Sequence, residues 1–161
     1  MQEESLVCPE GIVDVSVLVP CCFENPLKDH SINFLSEVLK QKNRAVIPVP
    51  SILGAYHIST RYLRVPRVTV KKVLGGMLES GSAALYPHIS TRIAIDALDY
   101  ACMYNIESWD GYLISLVRGL GATIVYSLNK ELSKVKEIVL VNPFPEKAVQ
   151  EYHTYLNSKT K

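Results

Sequence analysis

The stretch of sequence that decides the fold is residues 106–129, IESWDGYLISLVRGLGATIVYSLN. Its first half has apolar side chains at helical spacing, and Ser108 is a residue type that favours the N-cap position of a helix. The apolar residues of this helix are Trp109, Leu113, Leu116, Val117 and Leu120. Gly119 and Gly121 predict where the helix ends. Residues 122–126 then have the composition of a buried strand, so the stretch predicts a helix followed by a parallel strand.

Two polar residues flank this helix and strand. Asp110 lies in the first turn of the predicted helix, and Asn129 lies just after the predicted strand. In an open parallel sheet, both positions fall at the edge formed by the carboxyl ends of the strands, where such folds bind their ligands. The sequence therefore predicts a functional site at this edge.

Length and composition indicate a single globular domain. The chain has 161 residues, of which 48% are apolar and 20% are charged, and this balance is not that of a disordered chain. The formal net charge of +1 neither favours nor excludes nucleic acid as a partner, because a local basic patch can exist within a balanced total.

The location predicted for the protein is cytoplasmic. The sequence has no signal-peptide pattern, and no apolar run approaches the ~18 residues of a membrane-spanning helix. The four cysteines form no C-x-x-C pair, so we expect reduced thiols rather than a disulfide framework.

Segments with strand and helix patterns alternate along the chain. Strands are predicted at residues 12–19, 44–49, 83–86, 122–126 and 138–141, and helices at 31–41, 50–63, 68–78, 90–105, 108–120 and 146–156. In the helix at 90–105 the predicted apolar face includes Ala97 and Leu98. This alternation predicts an α/β fold, a three-layer α/β/α sandwich with a central parallel sheet. The predicted domain covers residues 11–144, after a lead-in at 1–10 and before a C-terminal helix and tail at 145–161.

The first predicted strand, residues 12–19, contains a single carboxylate, Asp14. A carboxylate inside a buried strand costs several kcal/mol unless it is paired, hydrogen-bonded or bound to a metal. Ser16 follows two residues later, so both side chains are expected on one face of the strand. The alternative is that Asp14 accepts hydrogen bonds from backbone amides of a nearby loop.

Glycines 119 and 121 do not form a dinucleotide-binding loop. They follow a predicted helix and precede a strand, whereas pyrophosphate binding requires the reverse order, and no third glycine follows at the required spacing. The chain also has no Walker A lysine loop.

Three short segments resemble the motifs of PIN domains. Residues 14–16 (DVS) resemble the D-x-S/T/N opening, residues 108–110 (SWD) resemble the third acidic motif, and residues 126–129 (YSLN) resemble the T/S-x-D motif at a strand end. Their order and spacing agree with that family over about residues 11–144. The chain is therefore similar to VapC-like and archaeal-type PIN nucleases.

This resemblance implies a metal-dependent ribonuclease. Asp14 and Asp110 would bind Mg²⁺ or Mn²⁺, which prefer hard oxygen ligands. Asn129 would complete the catalytic set, with Ser16, Ser127 and Asp96 in support. The partners implied are RNA, an antitoxin or other protein, and further copies of the chain, with no role for a membrane.

Two positions depart from the family pattern. The second acid of the family is a glutamate early in the helix after the second strand, where this chain has Gly54, and the fourth acid is replaced by Asn129. Fewer anions predict weaker metal binding. The alternative function is therefore a catalytically inactive PIN-like module that binds RNA or a protein.

A basic segment near the middle of the chain is a candidate RNA-binding surface. It consists of Arg61, Arg64, Arg67, Lys71 and Lys72, with Tyr62 among them. Lysines and arginines can neutralise phosphates, and an aromatic ring can stack on a base. The alternative is an ordinary solvated end of a helix.

Overall fold

The structure is a computed structural model that describes residues 8–159. At its centre is a five-stranded sheet in which every strand pairing is parallel. The strands are β1 (Gly11–Val13), β2 (Ala45–Pro48), β3 (Leu85–Tyr86), β4 (Ile124–Tyr126) and β5 (Val139–Val141). Their order across the sheet is β3-β2-β1-β4-β5. The carboxyl ends of all five strands therefore lie at one edge, with β1 in the middle.

Helices connect the strands and cover both faces of the sheet. The α-helices of the described residues are α1 (Val15–Leu18), α2 (Lys28–Leu39), α3 (Val49–His57), α4 (Arg67–Glu79), α5 (Thr91–Tyr104), α6 (Ser108–Leu120) and α7 (Glu146–Lys159). Short 3₁₀ segments occupy Val19–Cys22 and Lys130–Lys134, and a π-helical segment at Ile58–Tyr62 continues α3.

The buried residues form one core on each side of the sheet. Ile12 and Val125 pack with α5 and α6, whereas Val13 and Ile47 pack on the opposite side with α2, α3, α4 and α7. Neighbouring residues of a strand point to opposite faces, so Ile12 and Val13 contribute to different cores. The predicted three-layer α/β/α arrangement with a parallel sheet is therefore confirmed, and α7 packs on the domain.

The prediction of one strand over residues 12–19 was wrong in its extent. The strand ends at Val13, and the chain then forms α1 and the 3₁₀ segment. A continuous apolar run is compatible with either a buried strand or a buried helix, and periodicity does not separate the two. Ser16 consequently belongs to a helix and not to the strand face shared with Asp14.

Two details of helix burial and capping also differ from the predictions. Ser108 is the first residue of α6, and Glu107 takes the N-cap position without a side-chain cap bond. Trp109 is 42% exposed and Leu98 is 62% exposed, although both were predicted on apolar faces. Ala97, in contrast, is buried as predicted.

Helices α5 and α6 approach each other closely at Gly111. A Cβ atom at this position would overlap the carbonyl oxygen of Ala97 and would lie 3.1 Å from the backbone nitrogen of Ala101. These are backbone atoms, which do not move aside as the end of a flexible side chain does. The contact therefore fixes how α6 packs on α5, and with it the position of Asp110 one residue earlier.

The structure also bears on the expectations about membranes and thiols. Across residues 8–159, no helix has both the length and the hydrophobicity needed to cross a membrane. Cys8, Cys21, Cys22 and Cys102 are all free thiols, as the sequence predicted. Residues 1–7 of the predicted lead-in and residues 160–161 of the predicted tail lie outside the described residues.

We expect Gly111→Ala to lower the free energy of unfolding by about 3 kcal/mol or more, because the added methyl group forces two backbones apart. Gly119→Ala is the matched control on the same helix, since a Cβ there meets no atom within 4 Å. The control should raise stability by about 0.5–1 kcal/mol through helix propensity. Urea denaturation of both variants measures the effect, and equal stabilities would contradict the close approach of α5 and α6.

Candidate functional site

Asp14 lies at the carboxyl end of the central strand. Its backbone is extended, and its N–H donates a hydrogen bond of 3.0 Å to the carbonyl of Tyr126, continuing the pairing of β1 with β4. Asp14 is the N-cap residue of α1, yet its side chain makes no capping hydrogen bond. The carboxylate is therefore directed to other partners, although the residue is only 5% exposed.

Two serine hydroxyls hold one oxygen of this carboxylate. Ser16 Oγ and Ser127 Oγ lie 2.8 and 2.7 Å from Asp14 Oδ2, and both donate to it. Each hydroxyl in turn accepts a backbone N–H at 3.0 Å, from Leu128 for Ser16 and from Asn129 for Ser127. The structure therefore brings together the predicted residues Asp14, Ser16 and Ser127, and the other oxygen of Asp14 has no hydrogen-bond donor among the described residues.

Asp110 is the second carboxylate of the site. It lies in the first turn of α6 and is 8% exposed. Burial raises the pKa of Asp110 to about 6, and the negative charge of nearby Asp14 acts in the same direction. The amino end of a helix favours a carboxylate, but here the loss of solvation is the larger effect. The structure therefore brings Asp110 close enough to Asp14 for the charge of Asp14 to act on it.

Asn129 contacts Asp110 through its amide nitrogen. Asn129 Oδ1 accepts the backbone N–H of Glu131 at 3.1 Å and thereby caps the 3₁₀ segment. A backbone N–H can only be accepted by the oxygen, so Nδ2 is left to face Asp110, whose Oδ2 lies 3.4 Å away. Asn129 thus directs a donor toward the carboxylates instead of the additional oxygen that the resemblance implies.

Gly54 also borders the site. A Cβ atom on Gly54 would lie 3.6 Å from Val15 Cγ2 and 3.4 Å from the indole nitrogen of Trp109. Val15 follows Asp14 and Trp109 precedes Asp110, so the helix α3 meets both carboxylate-bearing segments at this glycine. No acid is present at this position, and the indole ring packs where a side chain would begin.

Two glutamates add negative charge around Asp110. Glu107 and Glu131 both contribute to the raised pKa of Asp110. Glu131 is not among the site residues predicted from the sequence, although it lies only two residues after Asn129 in the same polar turn. Glu131 comes close to α6 only because β4 pairs with β1, and the sequence around Glu131 does not indicate this pairing.

The other predicted site residues, Asp96 and the five basic residues, belong to segments other than those that carry Asp14 and Asp110. Asp96 is on α5, where it forms an ion pair of 3.3 Å with Arg92. The basic residues are exposed: Arg61 belongs to the π-helical segment, Arg64 to the following loop, and Arg67, Lys71 and Lys72 to α4. Within residues 8–159 none of these five cations forms an ion pair with a carboxylate.

Comparison with known proteins provides no family for this chain. No protein-family model matches its sequence. A search of curated proteins also finds no match. Among residues 8–159, no group of three or more histidine, cysteine, aspartate or glutamate side chains is arranged to hold a metal ion.

The titration of Asp110 should be visible in the stability of the protein. Its pKa rises from 3.8 to about 6 on folding, so the folded state binds the proton more tightly. The stabilisation is fully present below about pH 4 and is lost as the pH rises through about 6. Relative to Asp110→Asn, the wild type should therefore lose up to about 2 kcal/mol between pH 4 and pH 7.5, allowing for solvent screening.

Urea denaturation at the two pH values measures this difference. Asp99→Asn, which removes an exposed carboxylate from α5, is the matched control and should follow the wild type at both pH values. If Asp110→Asn and wild type showed the same pH dependence, Asp110 would not be a desolvated carboxylate.

Proposed function

We propose that this protein is a PIN-like, metal-dependent ribonuclease of weakened metal affinity. The observation that carries the proposal is the buried pair Asp14 and Asp110 at the carboxyl edge of a parallel sheet, with the pKa of Asp110 raised to about 6. Perturbed carboxylates at this edge are typical of functional sites. Their approach also agrees with the motif resemblance at residues 14–16 and 108–110.

The two carboxylates fit a hard divalent cation. Mg²⁺ is commonly bound through one or two carboxylates, with water and substrate phosphates as its other ligands. Asp14 has one oxygen without a hydrogen-bond donor, and Asp110 would bind as a carboxylate once its proton is lost. A bound Mg²⁺ or Mn²⁺ would offset the charge that develops on an attacked phosphate and would activate a water molecule.

The chain's own residues orient this site. Ser16 and Ser127 lock the Asp14 carboxylate in one position, so little conformational freedom is lost when a ligand binds. The basic residues from Arg61 to Lys72 would contact the phosphates of RNA farther from the two carboxylates. Asp96 would have only a remote, electrostatic role.

The second candidate function is an RNA-binding or protein-interaction module that does not cleave. The orientation of Asn129 favours it, because the amide N–H₂ group stabilises the Asp110 carboxylate without a metal. For both candidate functions we propose an antitoxin or a second copy of the chain as protein partners, and a cytoplasmic location. Exposed apolar residues of α5, among them Leu98 and Met103, offer a surface for a protein partner.

Titration with Mn²⁺ followed by an RNA-cleavage assay tests the proposal. A Mn²⁺-dependent cleavage that EDTA abolishes supports the nuclease, whereas RNA binding without cleavage supports the second candidate. Failure to bind either Mn²⁺ or RNA would contradict the nuclease and the RNA-binding form of the second candidate.

Asp14→Asn should reduce Mn²⁺ affinity by more than about 100-fold, because loss of a direct ligand costs more than loss of a residue that only supports one. The fold should persist, since an amide oxygen can still accept from Ser16 and Ser127. Calorimetric titration measures the affinity, and Asp99→Asn serves as the control with an intact site. Unchanged Mn²⁺ binding by the Asp14 variant would remove Asp14 from the metal site.

Asn129→Asp should raise Mn²⁺ affinity by about tenfold or more, since it adds an anion beside Asp110 and keeps the oxygen that caps the 3₁₀ segment. Stability without metal should fall by about 1 kcal/mol, because another carboxylate joins the buried pair. Mn²⁺ should then raise the melting temperature more than it does for the wild type.

Asn142→Asp is the matched control for this substitution. Asn142 is exposed, and its Oδ1 accepts the N–H of Phe144 two residues later, as Asn129 does with Glu131. This control should leave both the Mn²⁺ affinity and the metal response unchanged. Equal responses from the two variants would show that residue 129 does not face the metal site.

A further inference from the structure

Trp109 is an exposed aromatic side chain at the edge of the carboxylate pair. It directly precedes Asp110 in the first turn of α6 and is 42% exposed. A tryptophan that contributes only to the core would be buried to a greater extent. The exposed part of the indole ring is therefore available to contact a ligand.

The indole ring is supported on two sides. Its nitrogen edge lies against Gly54 of α3, where a Cβ would be only 3.4 Å away. On the other side the ring packs against Tyr112, with centroids 5.6 Å apart and an interplanar angle of 37°. The ring is thus held in one orientation between α3 and α6, while part of its surface stays open to solvent.

We propose that Trp109 is a stacking platform for one unpaired base of a single-stranded RNA bound at the carboxylate pair. This inference rests on the proposed function. Every base has a π-face, so stacking on an indole ring binds bases without strong sequence preference. A base can lie on Trp109 only when it is free of its own helix, so the platform selects single strands over duplexes.

An exposed aromatic residue and a cation lie farther along the helix that packs against the ring. Helix α3 leads from Gly54 into the π-helical segment that ends at Tyr62, a distance of ~12 Å along the helix axis. Tyr62 is 66% exposed and has His57 packed edge-on against its ring at 5.6 Å. Arg61 precedes it. A strand whose base lies on Trp109 can therefore follow α3 toward an exposed aromatic residue and a cation.

Because the chain contains one tryptophan, its fluorescence reports on this residue alone. The full-length protein is titrated in EDTA, so that no cleavage occurs, with a short mixed-sequence single-stranded RNA and separately with the corresponding duplex. We expect the single strand to quench the emission as it binds. The duplex should bind more weakly and leave the emission nearly unchanged.

Substitutions then measure the contribution of stacking. Trp109→Leu should weaken the binding of fluorescently labelled single-stranded RNA by about 5- to 100-fold, whereas Trp109→Phe should restore most of the affinity. Ile32→Ala is the control, because it removes an apolar side chain that is also 42% exposed but lies on α2. Circular dichroism confirms that each variant is folded.

The possible outcomes separate this inference from the proposed function. Quenching with a loss of affinity in Trp109→Leu supports the platform, even if no metal restores cleavage and the nuclease proposal fails. Wild-type affinity in Trp109→Leu, or equal binding of duplex and single strand, overturns the platform and leaves the nuclease proposal standing. If no variant binds RNA in EDTA, the platform is overturned, and the cleavage assay with Mn²⁺ decides the nuclease proposal separately.

Discussion

The constraint on which the rest of the structure depends is the burial of two carboxylates at the same edge of the sheet. Asp14 and Asp110 are both almost inaccessible to water, and the negative charge of Asp14 adds to the burial that disfavours ionisation of Asp110. The chain compensates Asp14 with two hydroxyl donors, which come from α1 and from the turn after β4. Asp110 receives one long contact from Asn129, and its burial raises its pKa.

The packing of the helices and strands determines the position of the buried Asp110 carboxylate. Gly111 lets α6 touch the backbone of α5, and β1 and β4 are paired in register through Val13 and Tyr126. Together these contacts fix the first turn of α6 relative to the end of β1. Rigid backbone packing next to the two carboxylates thus preserves an arrangement that is locally unfavourable, as is common at functional sites.

The sequence predicts the architecture better than it predicts the site. Alternating segments with strand and helix patterns identify the parallel sheet and its three layers, and the polar residues at strand ends locate the edge where Asp14 and Asp110 meet. The boundary after Val13 is not predictable from apolar composition, because buried strands and buried helices share it. The orientation of Asn129 depends on a hydrogen bond from the N–H of Glu131, and the Trp109 ring packs against Gly54 of a different helix. Such details arise from contacts between segments distant in sequence, which periodicity does not encode.

Gly54 affects the edge of the sheet through packing as well as through the absence of an acidic side chain. The resemblance to the PIN motifs describes Gly54 only as a position where an acidic metal ligand is absent. In the structure the indole of Trp109 lies against it, close to where a Cβ would be. A side chain at position 54 would begin in contact with this ring and with Val15. The two departures from the acidic pattern then have a common physical consequence: Gly54 admits an aromatic surface, and Asn129 supplies a hydrogen-bond donor. Neither group adds negative charge beside Asp110, where burial and the charges of Asp14, Glu107 and Glu131 already raise its pKa. The edge therefore combines a buried pair of carboxylates with an aromatic surface and a hydrogen-bond donor.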